Sequence, residues 1–170
     1  MPLRDKGFQT LSVPMPYYDH FLSYRQEPVS PGTINTFAID TGRGLMYVVG
    51  SFGLYEPETS PGVAAWDGYH WRALGSTGLN GDFFAAVVHN GDLYVGGKFT
   101  IGGTEDDTLT LARWDGKQWD PVRTNFSGSI RTLLSFDGNL YAGGEFTSVQ
   151  DTTLRNLARW KGEEWCADGG

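Results

Sequence analysis

The stretch FFAAVVHNGDLYVGGKFT, residues 83–100, and the later LARWDGKQWDPV, residues 111–122, decide the fold. Two short apolar runs flank Asn90-Gly91, a dipeptide that readily adopts the positive φ values of a type I′ hairpin turn. Two tryptophans flank a second turn at Asp115-Gly116. The stretch therefore predicts four short antiparallel strands, joined by two tight turns and one longer connection.

The same order of features occurs twice more in the chain. It returns after the central copy in residues 129–168, and in a looser form before it in residues 33–74. Tyr47, Tyr94 and Tyr141 mark equivalent positions 47 residues apart. Four-stranded units that repeat about every 40–50 residues are typical of β-propeller blades. We therefore expect an all-β, propeller-type array of three four-stranded antiparallel blades, at about residues 33–81, 82–128 and 129–170.

The glycine and tryptophan motifs resemble a known repeat family. YVGG at 94–97 and YAGG at 141–144 are each followed by ARW and by a further tryptophan five positions later. This pattern resembles the kelch-like Gly-Gly propeller repeats, especially the LYVGG-F-T…LARWDG…W variety of multi-repeat bacterial surface and secreted proteins. The resemblance covers about residues 33–168 and implies a propeller array without implying a ligand. The first repeat departs from it, with Gly50-Ser51 in place of the doublet.

Packing alone accounts for these motifs. We expect Gly96-Gly97 and Gly143-Gly144 to end the second strand of their repeats where a side chain would collide with neighbouring backbone. The tryptophan pairs supply a large area for packing between blades. We therefore assign both motifs to the fold and not to a ligand site.

Residues 1–32 lie outside the repeats and are expected to form an extended arm. They contain five prolines, which oppose a regular helix or a central strand. A cluster of aromatic residues opposes a free, solvated tail, and its members are Tyr17, Tyr18, Phe21 and Tyr24. We expect these side chains to lie either on the protein's own strands or on another protein.

Composition excludes several classes of function. The net charge of −7 disfavours binding to nucleic acid or to an anionic membrane surface. Cys166 is the only cysteine, so neither an internal disulfide nor a thiolate metal cluster is expected. No apolar run approaches the roughly 18 residues of a membrane span, and the first residues lack the apolar segment of a signal peptide. We expect no membrane insertion and leave the compartment open.

Candidate chemistry is sparse. A kelch propeller also carries the copper site of galactose oxidase, which needs a cysteine-modified tyrosine and converging histidines. Here Cys166 lies near the end of the sequence, and His20, His70 and His89 are expected in the arm and in two tight turns. An oxidase-like enzyme is therefore our third reading, and we expect no catalytic residue and no cofactor.

The densest acidic cluster is Glu105-Asp106-Asp107, beside Gly102-Gly103 in the loop between the second and third strands of the central repeat. It lacks the spacing of a known calcium loop, so we expect a solvated contact surface and no metal site. The loops between second and third strands vary most and are the expected binding face, at residues 53–61, 101–110 and 148–156.

Two functional hypotheses remain open. The first is a non-enzymatic structural or assembly protein that acts through contacts with itself or with a larger assembly. The second is a glycan- or protein-binding propeller module of a larger surface protein. Repeats of a surface-protein type and the lack of an export signal are compatible if the chain is a virion or appendage component. They are also compatible if it is a fragment of a longer secreted chain.

The blade count predicts association. Closed propellers contain about four to eight blades, so three blades would leave an apolar face bare at each end. We expect Trp66 and Trp71 on one of these faces and Trp160 and Trp165 on the other. Two chains joined third blade to first blade, twice, would form a six-bladed ring.

Overall fold

The computed structural model describes residues 32–54, 60–74, 79–102, 108–150, 152–162 and 164–167. Over these ranges the protein is all-β and contains no helix. The strands form three four-stranded antiparallel sheets and one two-stranded hairpin. The expectation of an all-β fold built from four-stranded antiparallel units is therefore confirmed.

Each four-stranded sheet is formed by one repeat, with strands adjacent in the order in which they occur in the chain. The first sheet contains β1 (Thr33–Asp40), β2 (Leu45–Leu54), β3 (Ser60–Trp66) and β4 (Trp71–Ala73). The second sheet contains β5 (Asn80–His89), β6 (Asp92–Thr100), β7 (Leu109–Trp114) and β8 (Trp119–Pro121). The third repeat contains β9 (Ile130–Phe136), β10 (Asn139–Gly144), β11 (Ser148–Val149), β12 (Thr152–Thr153), β13 (Leu157–Trp160) and β14 (Trp165–Cys166).

The third repeat carries an additional hairpin. Its sheet is formed by β9, β10, β13 and β14, while β11 and β12 pair with each other inside the connection at residues 148–156. Phe126 bridges to Val149, and the Ser127 hydroxyl accepts hydrogen bonds from the backbone N–H groups of Thr147 and Ser148 at 2.9 and 3.0 Å. The hairpin therefore fixes the connection that leads from the second sheet into the third. The sequence pattern does not indicate this hairpin.

The tight turns have the backbone conformation that their dipeptides predict. Asn90 and Gly91 have φ values of 51° and 85°, and Asp137 and Gly138 have values of 48° and 71°. Two consecutive positive φ values define the type I′ turn, whose twist matches that of the flanking strands. These turns set the registers that pair His89 with Asp92 and Phe136 with Asn139.

One glycine in each repeat allows the first strand to approach the second closely. A Cβ atom at Gly50, Gly97 or Gly144 would overlap the carbonyl oxygen of Thr33, Asp82 or Ser129, respectively. The ladder between first and second strands is irregular at or beside each of these sites. The expected collision with backbone is confirmed at Gly97 and Gly144, whereas a Cβ atom at Gly96 or Gly143 would overlap the side chain of Ile130 or Thr132. The expectation that Gly96-Gly97 ends the second strand is wrong, because β6 continues to Thr100. In the first sheet, however, the pair equivalent to the doublet is Val49-Gly50 and not Gly50-Ser51, because Gly50 makes the contact that Gly97 and Gly144 make.

The sheets stack face to face. One apolar core lies between the first and second sheets and includes Tyr47, Val63, Leu93, Phe99 and Trp114. Another lies between the second and third sheets and includes Leu111, Ile130, Leu133, Leu140 and Trp165. Because successive strand residues point to opposite sides, the second sheet contributes alternate residues to both cores.

The expected position of Trp160 and Trp165 is wrong. Trp160 lies opposite both Leu140 and Trp165 in the sheet, so all three side chains share one face. That face packs on the second sheet, where Trp165 is buried and Trp160 is partly buried. The outer face of the third sheet instead carries Leu134, Phe136 and Leu157.

Replacing Gly97 with alanine should destabilise the protein. The new Cβ would overlap the Asp82 carbonyl oxygen, and relieving an overpacked contact typically costs about 1–3 kcal/mol. The free energy of unfolding, measured by urea denaturation, is expected to fall by that amount. Gly42→Ala is the control, because Gly42 lies in an exposed turn and its nearest neighbour is the Asp40 side chain at 3.3 Å. Equal stability of the two variants would contradict the close-approach argument.

Candidate interaction surfaces

The residues predicted to make contacts lie outside the described ranges. This holds for the aromatic arm residues Tyr17, Tyr18, Phe21 and Tyr24 and for the acidic cluster Glu105, Asp106 and Asp107. The expected binding loops at 53–61 and 101–110 are described only in part, whereas the loop at 148–156 is described except at residue 151.

The outer faces of the first and third sheets carry exposed apolar side chains. Phe37 and Ile39 of β1 are 55% and 59% exposed. On the third sheet, Leu134, Phe136 and Leu157 are 56%, 65% and 44% exposed. Apolar clusters of this kind on a protein surface commonly mark contact sites.

Equivalent positions inside the stack are buried. Gly96 pairs with Leu111 in the second sheet as Gly143 pairs with Leu157 in the third, so the two leucines occupy the same position. Leu111 is fully buried in the stack, and so is Val63, which occupies the same position of the first sheet. The exposure of Leu157 therefore results from the absence of a fourth sheet among the described residues, not from a different side-chain type.

The aspartates of the turns between the third and fourth strands accept hydrogen bonds from the backbone of those turns. Asp67 Oδ1 accepts hydrogen bonds from the N–H groups of Tyr69 and His70 at 2.8 and 2.7 Å. Together with Arg72, these donors lower the pKa of Asp67 to about 2. Asp115 accepts in the same way from Lys117 and Gln118, and its pKa is also lowered. Both carboxylates therefore have a structural role that accounts for their position before a glycine.

Arg43 connects the tight turns of the first and second sheets. Its guanidinium donates to Asp40 Oδ2 at 3.0 Å within its own turn, and the hydrogen bond with Asp40 raises the pKa of Arg43. It also donates to the carbonyl oxygens of Gly91 and, at 3.3 Å, Asp115. One side chain thus links the turn of the first sheet to both tight turns of the second.

His89 links the second and third sheets and is not the solvated turn residue that the sequence suggested. It is the last residue of β5 and is buried, with Nδ1 hydrogen-bonded to Ser135 Oγ at 2.9 Å. Asn90 Nδ2 lies 3.0 Å from His89 Nε2. Period-two alternation places His89 on the face opposite Val88, toward the third sheet, which the turn dipeptide alone does not reveal.

His89 should make the stability depend on pH. Burial lowers its pKa below the ordinary value of 6.5, so the unfolded chain binds a proton at a pH where the folded protein does not. Stability is therefore complete above about pH 6.5 and falls as the pH drops from that value through the lowered pKa. Urea denaturation from pH 8 to pH 5 measures this loss.

Two variants separate His89 from the other titrating groups. His89→Gln should flatten the pH dependence over this range, whereas His70→Gln, at an exposed turn, should leave it unchanged. The assignment would be wrong if the two variants lost stability with falling pH to the same extent.

A cleft of about 460 Å³ opens between the outer strands of the second and third sheets. Its walls include Tyr94, Arg113, Asp120, Thr124, Trp160 and Trp165. Arg113 donates to Asp120 Oδ2 at 2.8 Å and lies 3.6 Å from Asp92 Oδ2. Burial raises the pKa of Tyr94, so its hydroxyl is protonated at neutral pH. The cleft combines aromatic rings with a neutralised, strongly hydrogen-bonding ion pair.

The described residues include no group of three or more His, Cys, Asp or Glu side chains that could hold a metal ion. Over the same ranges no helix has the length and apolarity needed to cross a membrane.

Comparisons with protein-family models and with curated proteins find no match.

Proposed function

We propose that the protein is a non-enzymatic structural component that assembles through protein–protein contacts, as part of a particle or surface appendage. Its three sheets are proposed to be propeller-type blades of the kelch-like kind, and its first partner is a second copy of the same chain. The third sheet of each copy packs on the first sheet of the other. Two such contacts give a six-bladed ring with twofold symmetry.

The main support for this proposal is which face of the first sheet and which face of the third sheet are exposed. Inside the chain, the face of one sheet that bears Tyr47 or Tyr94 packs on the next sheet along the chain. The face of the third sheet that bears Tyr141 also bears Leu134 and Leu157, which are exposed. Phe37 and Ile39, which are also exposed, lie on the first sheet, on the face that does not bear Tyr47. The two exposed faces are therefore of the same two kinds that pack on each other between neighbouring sheets inside the chain.

Exposed apolar surface on the two outer faces favours association of two chains. Burying a large apolar side chain stabilises a contact by about 1.5–3 kcal/mol. Five partly exposed side chains of this size, on two faces that meet twice in the ring, provide a driving force for association.

Light scattering tests the proposal. The purified chain is expected to have a mass near twice 18.7 kDa. Phe136→Lys should weaken each contact by more than about tenfold, or about 1.4 kcal/mol, because a charge would be buried against apolar residues. Its dimer should therefore dissociate at concentrations where the unmodified protein does not.

Tyr69→Lys is the matched control for this experiment. Tyr69 is the most exposed of the large hydrophobic side chains identified in the described ranges, but it lies in the turn after Asp67 and not on either outer face. The variant should keep the mass of the unmodified protein. A stable monomer of the unmodified chain, or equal effects of the two lysine variants, would contradict the proposal.

A further inference from the structure

Two residues at the centre of the outer face of the first sheet are fully buried. Val48 and Ala64 lie opposite each other in β2 and β3, and both are 0% exposed. Their chain neighbours Val49 and Val63 belong to the core shared with the second sheet. Because successive strand residues point to opposite sides, Val48 and Ala64 point away from the second sheet. They form a separate buried cluster with Phe52.

The second sheet shows what burial at this position requires. Val95 and Ala112 are the equivalents of Val48 and Ala64, because they pair at the same place in the second and third strands. They are also 0% exposed, and the first sheet packs over them. Among the described residues, the cluster of Val48 and Ala64 contains only side chains of the first sheet itself. Burial to the same extent indicates a covering layer from outside the described ranges.

The covering layer does not extend over β1. Phe37 lies beside Val48 on the same face and is 55% exposed, whereas its equivalent in the second sheet, Ala86, is 8% exposed. Ile39, further along β1, is 59% exposed. The layer is therefore narrower than a four-stranded sheet, as expected of a single segment of chain.

The chain that precedes β1 begins at this buried cluster. Gly32 directly precedes β1, and a Cβ atom placed on it would lie 2.9 Å from Phe52 Cβ. Tyr24 stands eight residues before Gly32, a distance that extended chain can span over about 26 Å. The four strands of the sheet are together about 14 Å across. The aromatic residues of the arm can therefore reach every strand of this face.

Two other segments that adjoin the first sheet in the sequence lie outside the described ranges and suit the role less well. Residues 75–78 read Gly-Ser-Thr-Gly and have no large apolar side chain. Residues 55–59 read Tyr-Glu-Pro-Glu-Thr, so that two carboxylates accompany one aromatic ring, and burying a charge is costly. The arm is longer and has an aromatic cluster without such a density of charge.

We propose that the aromatic cluster of residues 1–31 packs on the outer face of the first sheet and covers Val48, Phe52 and Ala64. Tyrosine suits this position, because its ring buries a large apolar area while its hydroxyl can stay in water. The same face receives the third sheet of a second copy in the ring. The arm therefore competes with the second copy and weakens association. The competition rests on the proposed function, whereas the covering of the face does not.

Cysteine labelling tests whether the arm covers the face. Val48→Cys and, separately, Leu157→Cys are made in a background with Cys166→Ser and Phe136→Lys, in which association is weakened. The thiol at position 48 should react slowly with a maleimide, and the thiol at position 157 should react rapidly. Replacing the four residues of the aromatic cluster with serine should accelerate the reaction at position 48 by more than about tenfold and leave position 157 unchanged.

Two further variants identify the covering segment. Phe8→Ser with Leu11→Ser changes arm residues outside the aromatic cluster and should leave labelling at position 48 unchanged. Tyr55→Ser changes the connection after β2 and should also have no effect. The covering is overturned if position 48 reacts as fast as position 157 when the arm is unmodified, or if Tyr55→Ser exposes position 48 and the four serines do not. Equal acceleration of both positions by the four serines would also overturn it.

The dissociation constant of the dimer tests the competition, in chains that keep Phe136, Val48 and Leu157. The four serines should lower this constant by more than about tenfold, because apparent affinity is reduced by the fraction of chains whose face is open. An equal or higher constant overturns the competition. A chain that stays monomeric with and without the serines contradicts the proposed function, while the labelling rates still decide whether the arm covers the face.

Discussion

The fold depends on covering both faces of sheets that are apolar on both sides. In the second sheet, Leu93 and Val95 face the first sheet, whereas Leu111 and the partly buried Tyr94 face the third. Such a sheet is not stable as a layer with water on one side, because each large apolar side chain left exposed forfeits about 1.5–3 kcal/mol. Stacking is therefore the condition under which four-stranded units of this composition fold. The same condition applies to the two outer faces.

Polar contacts at the tight-turn edge distinguish the two internal junctions between sheets from the outer face of the third sheet. The first and second sheets are linked by Arg43, and the second and third by His89 with Ser135. Asp40, His89 and Phe136 occupy one equivalent position, two residues beyond the strand partners of Tyr47, Tyr94 and Tyr141. Both internal junctions therefore carry polar groups at this position, whereas the outer face of the third sheet carries a phenylalanine. An apolar side chain at this edge needs no specific partner geometry, which suits a contact made between separate chains.

Much of the architecture could be predicted because it depends on local chemistry. The Asn90-Gly91 and Asp137-Gly138 turns follow from the positive φ values that these dipeptides tolerate, and Gly97 and Gly144 follow from a close backbone approach. The assignment of Trp160 and Trp165 to an outer face failed for a different reason. Period two separates the faces of a strand, but it does not say which face meets the preceding sheet and which meets the next.

The candidate sites were the least predictable features. His89 seemed a turn residue, and only the stacking of β5 on β9 brings it to Ser135. The cleft is lined by residues 122–124 of the connection after β8 and by Gln150, whose backbone N–H donates to the Asn125 carbonyl oxygen. The β11–β12 hairpin beside it has two-residue strands, which leave almost no pattern in the sequence. The predicted contact residues of the arm and of the acidic loop lie outside the described ranges and remain predictions.

The central claim is that the third sheet of one chain packs on the first sheet of another as the internal sheets pack on each other. His89 of the second sheet contacts Ser135 of the third. Phe136 is the equivalent of His89 in the third sheet, and Ile39 is the equivalent of Ser135 in the first, so these two residues should meet between chains. Phe136→Cys and Ile39→Cys, each made in a Cys166→Ser background, are mixed and treated with a short bis-maleimide cross-linker. We predict a covalent dimer in the mixture and almost none with either variant alone, because each chain then meets a partner without a cysteine at the contact. Cross-linking of Phe136→Cys with itself, or no cross-linking in the mixture, would contradict the account.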